Sequence, residues 1–136
     1  MSSVTAADVV TVARTYLGVR WHHQGRSRAG IDCLGLVVVV AHELGLSKAD
    51  ATDYGRLPDG GRLRRALLEH LLPVRGMHAE GDVLMFRFQQ APMHVGIATD
   101  VGLIHAYANM RKVVEHRIDA VWDKRLVAAF RFPGLG

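Results

Sequence analysis

Between Asp32 and Gly45 lies a twelve-residue segment, Cys33 to Leu44, that is apolar on almost every side. A polar residue suited to capping precedes it, and a glycine follows it. Its four consecutive valines would suit a strand equally well, but the length and the two end signals select a helix, Cys33 to about Leu44. A helix without a polar face belongs at the centre of a core, so the rest of the chain has to wrap around it. The only cysteine of the sequence, Cys33, falls on its first turn. Free amides and the positive end of the helix dipole are expected to favour a thiolate there. A single cysteine forms no internal disulfide and cannot supply a four-thiolate zinc site. Two readings stay open at this point, a nucleophile or a small buried hydrophobe.

The chain has 136 residues, 49% of them hydrophobic and 22% charged, which suits one globular domain over residues 1–136 and argues against disorder. The longest apolar run, Leu34 to Ala41, is too short to span a bilayer, so no membrane insertion is expected. Met1-Ser2-Ser3-Val4-Thr5 lacks the pattern of a secretory signal. The net charge of +4 admits nucleic acid as a partner. The arginines are scattered, however, without a basic block or an RNA-binding motif, so a solvated basic surface is the expectation and nucleic acid is not.

Thr5-Ala6-Ala7-Asp8 resembles a capping box, and Val9, Val12, Ala13, Tyr16 and Leu17 recur at helical spacing up to Gly18. Val19 to Ile31 reads as a loop. Asp50 to Gly61 is a second loop with a Pro-Asp-Gly-Gly turn, and Arg62 to Leu72 a short helix halted by Pro73. The period then changes. Strands are expected at Val83–Phe88, His94–Thr99, Leu103–Tyr107, Lys112–Arg117 and Leu126–Phe132, with turns at 100–102 and 109–110. The expected class is α+β, with N-terminal helices packed on an antiparallel meander.

A thiol nucleophile needs a base, and the base needs a polar partner that fixes its tautomer. Eight histidines compete. His42 and His70 fall on helices, His78 in a loop, and His116 among charged residues at a strand end; each reads as structural or solvated. His94 and His105 sit instead in apolar strand contexts. If Ala98 and Leu103 close the hairpin, His105 faces Gly96 and is a diagonal, same-face neighbour of His94, and Gly96 leaves room for the two rings to meet. Two unrelated half-buried histidines would be the plain reading without Cys33. With Cys33, the parts of a Cys-His-His triad are present.

Asp32-Cys33-x-Gly35-Leu36, the His94-Val95-Gly96-Ile97 strand and the Ile104-His105-Ala106 strand resemble the NlpC-type cell-wall peptidases, small papain-like cysteine endopeptidases. Gly18-Val19-Arg20-Trp21-His22-His23-Gln24-Gly25 is similar to a family segment that usually reads Gly-x-Pro-Tyr. The Tyr54-Gly55-Arg56 loop, Glu80-Gly81-Asp82-Val83 and Val121-Trp122 are similar to the branch encoded in phage tail gene clusters. The resemblance runs from about Ala7 to Phe132 and implies a papain-like fold. It implies Cys33 as nucleophile, His94 as general base that pairs as imidazolium with the thiolate, and His105 as the residue that orients it. The Cys33 backbone N–H becomes an oxyanion donor. Trp21 stands where the family usually has Tyr and would form a substrate wall; His22 and His23 read as partly exposed loop residues. Asp32 is retained from the substrate-binding pair, whereas Leu34 replaces the usual Ser. Gln24 and Arg26 offer alternative polar contacts, and Arg26 and Arg28 either meet substrate carboxylates or lie exposed.

The implied reaction is hydrolysis of an amide bond in peptidoglycan stem peptides, of the γ-D-glutamyl-diaminopimelate type, without metal or organic cofactor. The phage-like branch implies a protein made in the host cytoplasm, associated with tail-tip proteins and acting at the cell wall as DNA passes in. The alternatives are an amidase or acyltransferase on the same scaffold, and a tail-assembly or wall-binding module with a vestigial triad.

Overall fold

The computed structural model describes residues 3–50, 62–88 and 91–136. The expected Pro-Asp-Gly-Gly turn and the Tyr54 loop lie outside the described residues. Helix α1 spans Ala6–Arg14 and opens on a complete capping box, in which the Asp8 amide donates to Thr5 Oγ1 and the Thr5 amide to Asp8 Oδ2. Helix α2 is Cys33–Glu43, with Asp32 as its N-cap and Gly45 at positive φ beyond its end. Eight of its residues, Leu34 to Ala41, are buried, as its missing polar face requires.

The expected loop before α2 holds two strands of two residues each, β1 (Arg26–Ser27) and β2 (Gly30–Ile31), too short to show a period in sequence. Helix α3 covers Arg62–His70. Leu72 and Pro73, expected to end that helix, instead form strand β3 at a sheet edge, where a residue without an N–H is tolerated. The remaining strands are β4 (Val83–Phe88), β5 (Ala91–Ala98), β6 (Leu103–Tyr107), β7 (Lys112–His116) and β8 (Leu126–Arg131). Between β7 and β8 the chain makes a further helix, α4 (Ala120–Arg125), capped by Asp119.

The sheet is antiparallel in the order β3-β8-β4-β5-β6-β7. The β4-to-β7 part is the expected meander. The last strand departs from it, because β8 returns to the far side of β4 instead of adding to β7. Arg131 on β8 grips Asp82 with Nε and Nη2 at 2.8 and 2.9 Å, and Asp82 also accepts the Ala79 amide. That charge-assisted fork fixes the return, since Asp82 is fully buried and has no other cation among the described residues.

Two apolar clusters cover the two faces of the sheet. Val83, Met85, Val95, Ile97, Ile104 and Ala106 pack with the helices α1 to α3. Leu84, Phe86, Ala98 and Leu103 pack with Trp122 of α4. Burial on both sides explains why β4 reads as a continuous apolar run and not as an alternation. Arg14 of α1 ties the sheet to the helix layer. It pairs with Glu115 on β7 and with Asp100 in the β5–β6 turn, while Thr99 donates to Glu115 and accepts the amides of Val101 and Gly102.

Candidate active site

The β5–β6 hairpin has the register expected from its residues, with Ala98 opposite Leu103 and Ile97 opposite Ile104. That register sets His105 beside Gly96 and diagonal to His94. The ring nitrogens His94 Nε2 and His105 Nδ1 are 2.6 Å apart. A Cβ on Gly96 would lie 2.9 Å from the Cβ of His105 and 2.5 Å from Leu103 Cδ1, so only glycine leaves this approach open.

The pair continues into a third ring. His105 Nε2 lies 2.9 Å from His116 Nε2, and His116 Nδ1 lies 2.7 Å from the Arg117 carbonyl oxygen. His116 was expected to be structural or solvated, because charged neighbours hide it. The hairpin arithmetic that pairs His94 with His105 also finds His116: Tyr107 faces Lys112, so His105 faces Val114 and His116 is its diagonal neighbour. Trp122 of α4 packs against His94, His105 and His116 with ring centroids at 6.0, 4.9 and 5.5 Å. Phe86, Phe88 and Tyr107 complete the cage around His94.

Cys33 is the first residue of α2 and is half-buried. Its sulfur interacts with the backbone amides of Leu34 and Val95, so the thiol meets β5 at the residue next to His94. Burial, and then the adjacent Asp32 carboxylate, push the thiol up from its ordinary 9.0 to about 12. Both effects oppose the expected thiolate. The field of a helix N-terminus is worth about 0.3–1 kcal/mol, and one pKa unit about 1.4 kcal/mol, so burial prevails. His94 is lowered to about 3 by burial, helped by Arg125, and His105 to about 2 by burial and its two histidine neighbours. Burial thus disfavours the charged form of all three groups and works against the expected thiolate–imidazolium pair. Alkylation of Cys33 by iodoacetamide is accordingly expected to rise steadily with pH from 6 to 9, and a rate plateau below pH 7 would contradict this.

The same burial makes stability depend on pH. The unfolded chain protonates these rings below about 6.5, whereas the folded chain resists until about 3 at His94 and about 2 at His105. Stability is thus full above that unfolded value and is lost as the pH falls. Each ring contributes up to about 1.4 kcal/mol per pH unit. Chemical denaturation between pH 6.5 and 4.5 is expected to show this slope, reduced in His105→Asn. An unchanged slope in that variant would show that the ring is not buried neutral.

The residues expected to bind substrate divide. Asp32 is turned inward. Its Oδ1 accepts the Gly35 amide at 2.8 Å and Arg26 Nη1 at 3.1 Å, and its Oδ2 accepts the Gln24 amide at 2.7 Å. Arg26 also donates to Asp50 and to the Gly25 carbonyl. Asp32, Arg26 and the Gln24 backbone, at φ 58, thus form a scaffold around the start of α2. Gly35 is required there, because a Cβ would lie 2.2 Å from the Gly25 oxygen. Arg28 is exposed, as one of the two expectations had it, and is held along α1. It donates to the Thr15 carbonyl and hydroxyl and covers the Tyr16 ring. Leu34 points into the core, so its replacement of Ser removes a hydroxyl without adding a wall to the site. Trp21 stays half-buried at the surface, bridged to Ile31 and lining a cavity of about 380 Å³ with Gly18, Arg20, Ala108, Arg111 and Lys112.

A helix whose first residue is a thiol, seated on an antiparallel sheet that carries a histidine pair, defines a papain-like α+β domain. The family model described as NlpC/P60 matches residues 18–131, and the chain belongs to that family. No curated relative matches the chain at a significant level. Among solved structures, an NlpC/P60 family protein from Bacillus cereus ATCC 10987 is similar over 96% of this chain and 41% of its own, at 21% identity and TM-score 0.74. The NlpC/p60 domain of the peptidoglycan hydrolase SagA is similar over 93% of this chain and 98% of its own, at 21% identity and TM-score 0.68. NlpC2 from Trichomonas vaginalis is similar over 97% of this chain and 49% of its own, at 16% identity and TM-score 0.70. The chain thus spans about two-fifths of the Bacillus cereus protein and nearly all of the SagA domain.

Proposed function

We propose that this protein is a cysteine endopeptidase that hydrolyses amide bonds in peptidoglycan stem peptides. The observation that carries the reading is the buried His94–His105 hydrogen bond of 2.6 Å on the strand that Cys33 touches. It leaves His94 Nδ1 without a hydrogen-bond partner among the described residues, as a base for a thiol requires.

In the proposed reaction Cys33 Sγ attacks the carbonyl carbon as His94 Nδ1 takes the thiol proton. The thiol stays protonated until then, so the charge separates only as the new bond forms. The Cys33 amide, first in α2 and without an intrahelical acceptor, is placed to donate to the oxyanion. Collapse breaks the C–N bond, and His94 returns its proton to the leaving amine. Water, deprotonated by His94, then hydrolyses the thioester to free acid and regenerates the thiol.

Membership of the NlpC/P60 family and the likeness to the domain of a peptidoglycan hydrolase support a cell-wall substrate. The cavity beside Trp21 adds to this, because its cations, Arg20, Arg111 and Lys112, suit the carboxylates of a stem peptide. The γ-D-glutamyl-diaminopimelate bond is the proposed scissile bond. The tail-associated setting, with tail-tip neighbours and action at the wall as DNA passes in, rests on the sequence resemblance. Purified sacculi test the reaction. Wild-type protein is expected to release new free amino groups and His94→Ala is not; equal release by both would remove His94 from the chemistry.

A further inference from the structure

His116 lies outside the expected triad, yet its ring closes a chain of hydrogen bonds that begins at His94. We propose that His116 is a positioning residue which, through His105, fixes the tautomer of His94.

The proton positions follow from one fixed acceptor. The Arg117 carbonyl can only accept, so His116 Nδ1, 2.7 Å away, carries a proton. A neutral His116 then has a bare Nε2. His105 Nε2, at 2.9 Å, must donate to it. Neutral His105 is left with a bare Nδ1, to which His94 Nε2 donates at 2.6 Å. The lone pair of His94 is thereby placed on Nδ1, the nitrogen that remains for the thiol. Each ring has one proton, so one carbonyl oxygen sets all three. A donor in place of the His116 lone pair would reverse each bond and put the proton on His94 Nδ1, where it could not accept from Cys33. Burial beneath Trp122 keeps water from breaking the order, since His105 is fully buried.

The alternative is that His116 only packs against Trp122 and holds β7 in place. The tautomer separates the two, because packing does not dictate which nitrogen of His94 is protonated. The experiment is ¹⁵N NMR of the histidine-labelled full chain at pH 7.5, beside kinetics of fragment release from sacculi. In the wild type, His94 and His105 are expected to carry their protons on Nε2. His116→Gln keeps an acceptor oxygen and is expected to keep that pattern. His116→Leu removes the acceptor, so His94 is expected to show both tautomers and kcat to fall roughly tenfold with KM held. A wild-type His94 protonated on Nδ1 would overturn the proposal, even if the leucine variant failed to fold. So would an unchanged His94 tautomer in folded His116→Leu. The kinetic arm rests on the hydrolase reading, whereas the NMR arm does not. Wild-type protein inert on sacculi would remove that reading and leave the spectrum to decide the role of His116.

Discussion

Cys33→Ala is expected to lower amide hydrolysis by roughly 10⁴-fold or more, with the fold and binding to sacculi retained. The sulfur belongs to the only thiol in the chain and, on the mechanism above, is the only protein atom that bonds to substrate carbon. Its removal therefore ends thioester formation instead of slowing it. The fold should tolerate the change, because alanine is a good helix former and Cys33 is only half-buried at the edge of the main core. The expected change in stability is within about 1 kcal/mol. Cys33→Ser is expected to be nearly as inactive, since a serine hydroxyl is a far poorer nucleophile for a weakly basic His94. The check is the rate of amine release beside co-sedimentation with sacculi. Loss of both binding and activity would point to a damaged fold, and retained activity to a different nucleophile.

The largest expected effect on stability is at Asp32. This carboxylate is 2% exposed and accepts from two backbone amides and from Arg26. Asp32→Ala removes the α2 N-cap, takes away the acceptor of the Gln24 and Gly35 amides and breaks the ion pair with Arg26. Breaking a buried ion pair by deleting one partner costs about 3–5 kcal/mol, and a lost cap adds about 1 kcal/mol. The measurement is urea denaturation, in which Asp32→Asn should recover part of the loss because its side-chain oxygen can still cap. A cost below about 1 kcal/mol would show that water replaces these contacts. The negative charge at position 32 also opposes the Cys33 thiolate, so Asp32→Asn is expected to speed alkylation of Cys33 at a given pH even as it weakens the fold.

What was legible in the sequence was local. Thr5 and Asp8 announced α1, Asp32 and Gly45 bracketed α2, and the four residues between Ala98 and Leu103 fixed a hairpin register that placed two histidines together. The signals that failed depend on contacts remote in sequence. Helix α4 has six residues and is held by the packing of Trp122 on the sheet, not by any helical period. The return of β8 to β4 depends on Asp82 and Arg131, which are 49 residues apart. The strand period gives no hint of that pairing. At Cys33 the field of the helix N-terminus favours the thiolate but is smaller than the burial it competes with. Asp32 and Arg26 stand out in the sequence by their polar groups, while the partners they hold are visible only in three dimensions. His116 was within reach of the same hairpin arithmetic that found His105, but charged neighbours on either side drew it to the surface in sequence.

The identity of the bond that is cut tests the proposed function most directly. Mass analysis of the soluble fragments from purified sacculi, digested by wild-type protein and by Cys33→Ala, reads that bond. Fragments with a new carboxyl end at D-glutamate and a new amine on diaminopimelate are expected from the wild type and not from the variant. The same fragments from both proteins, or none from either, would contradict the proposed function.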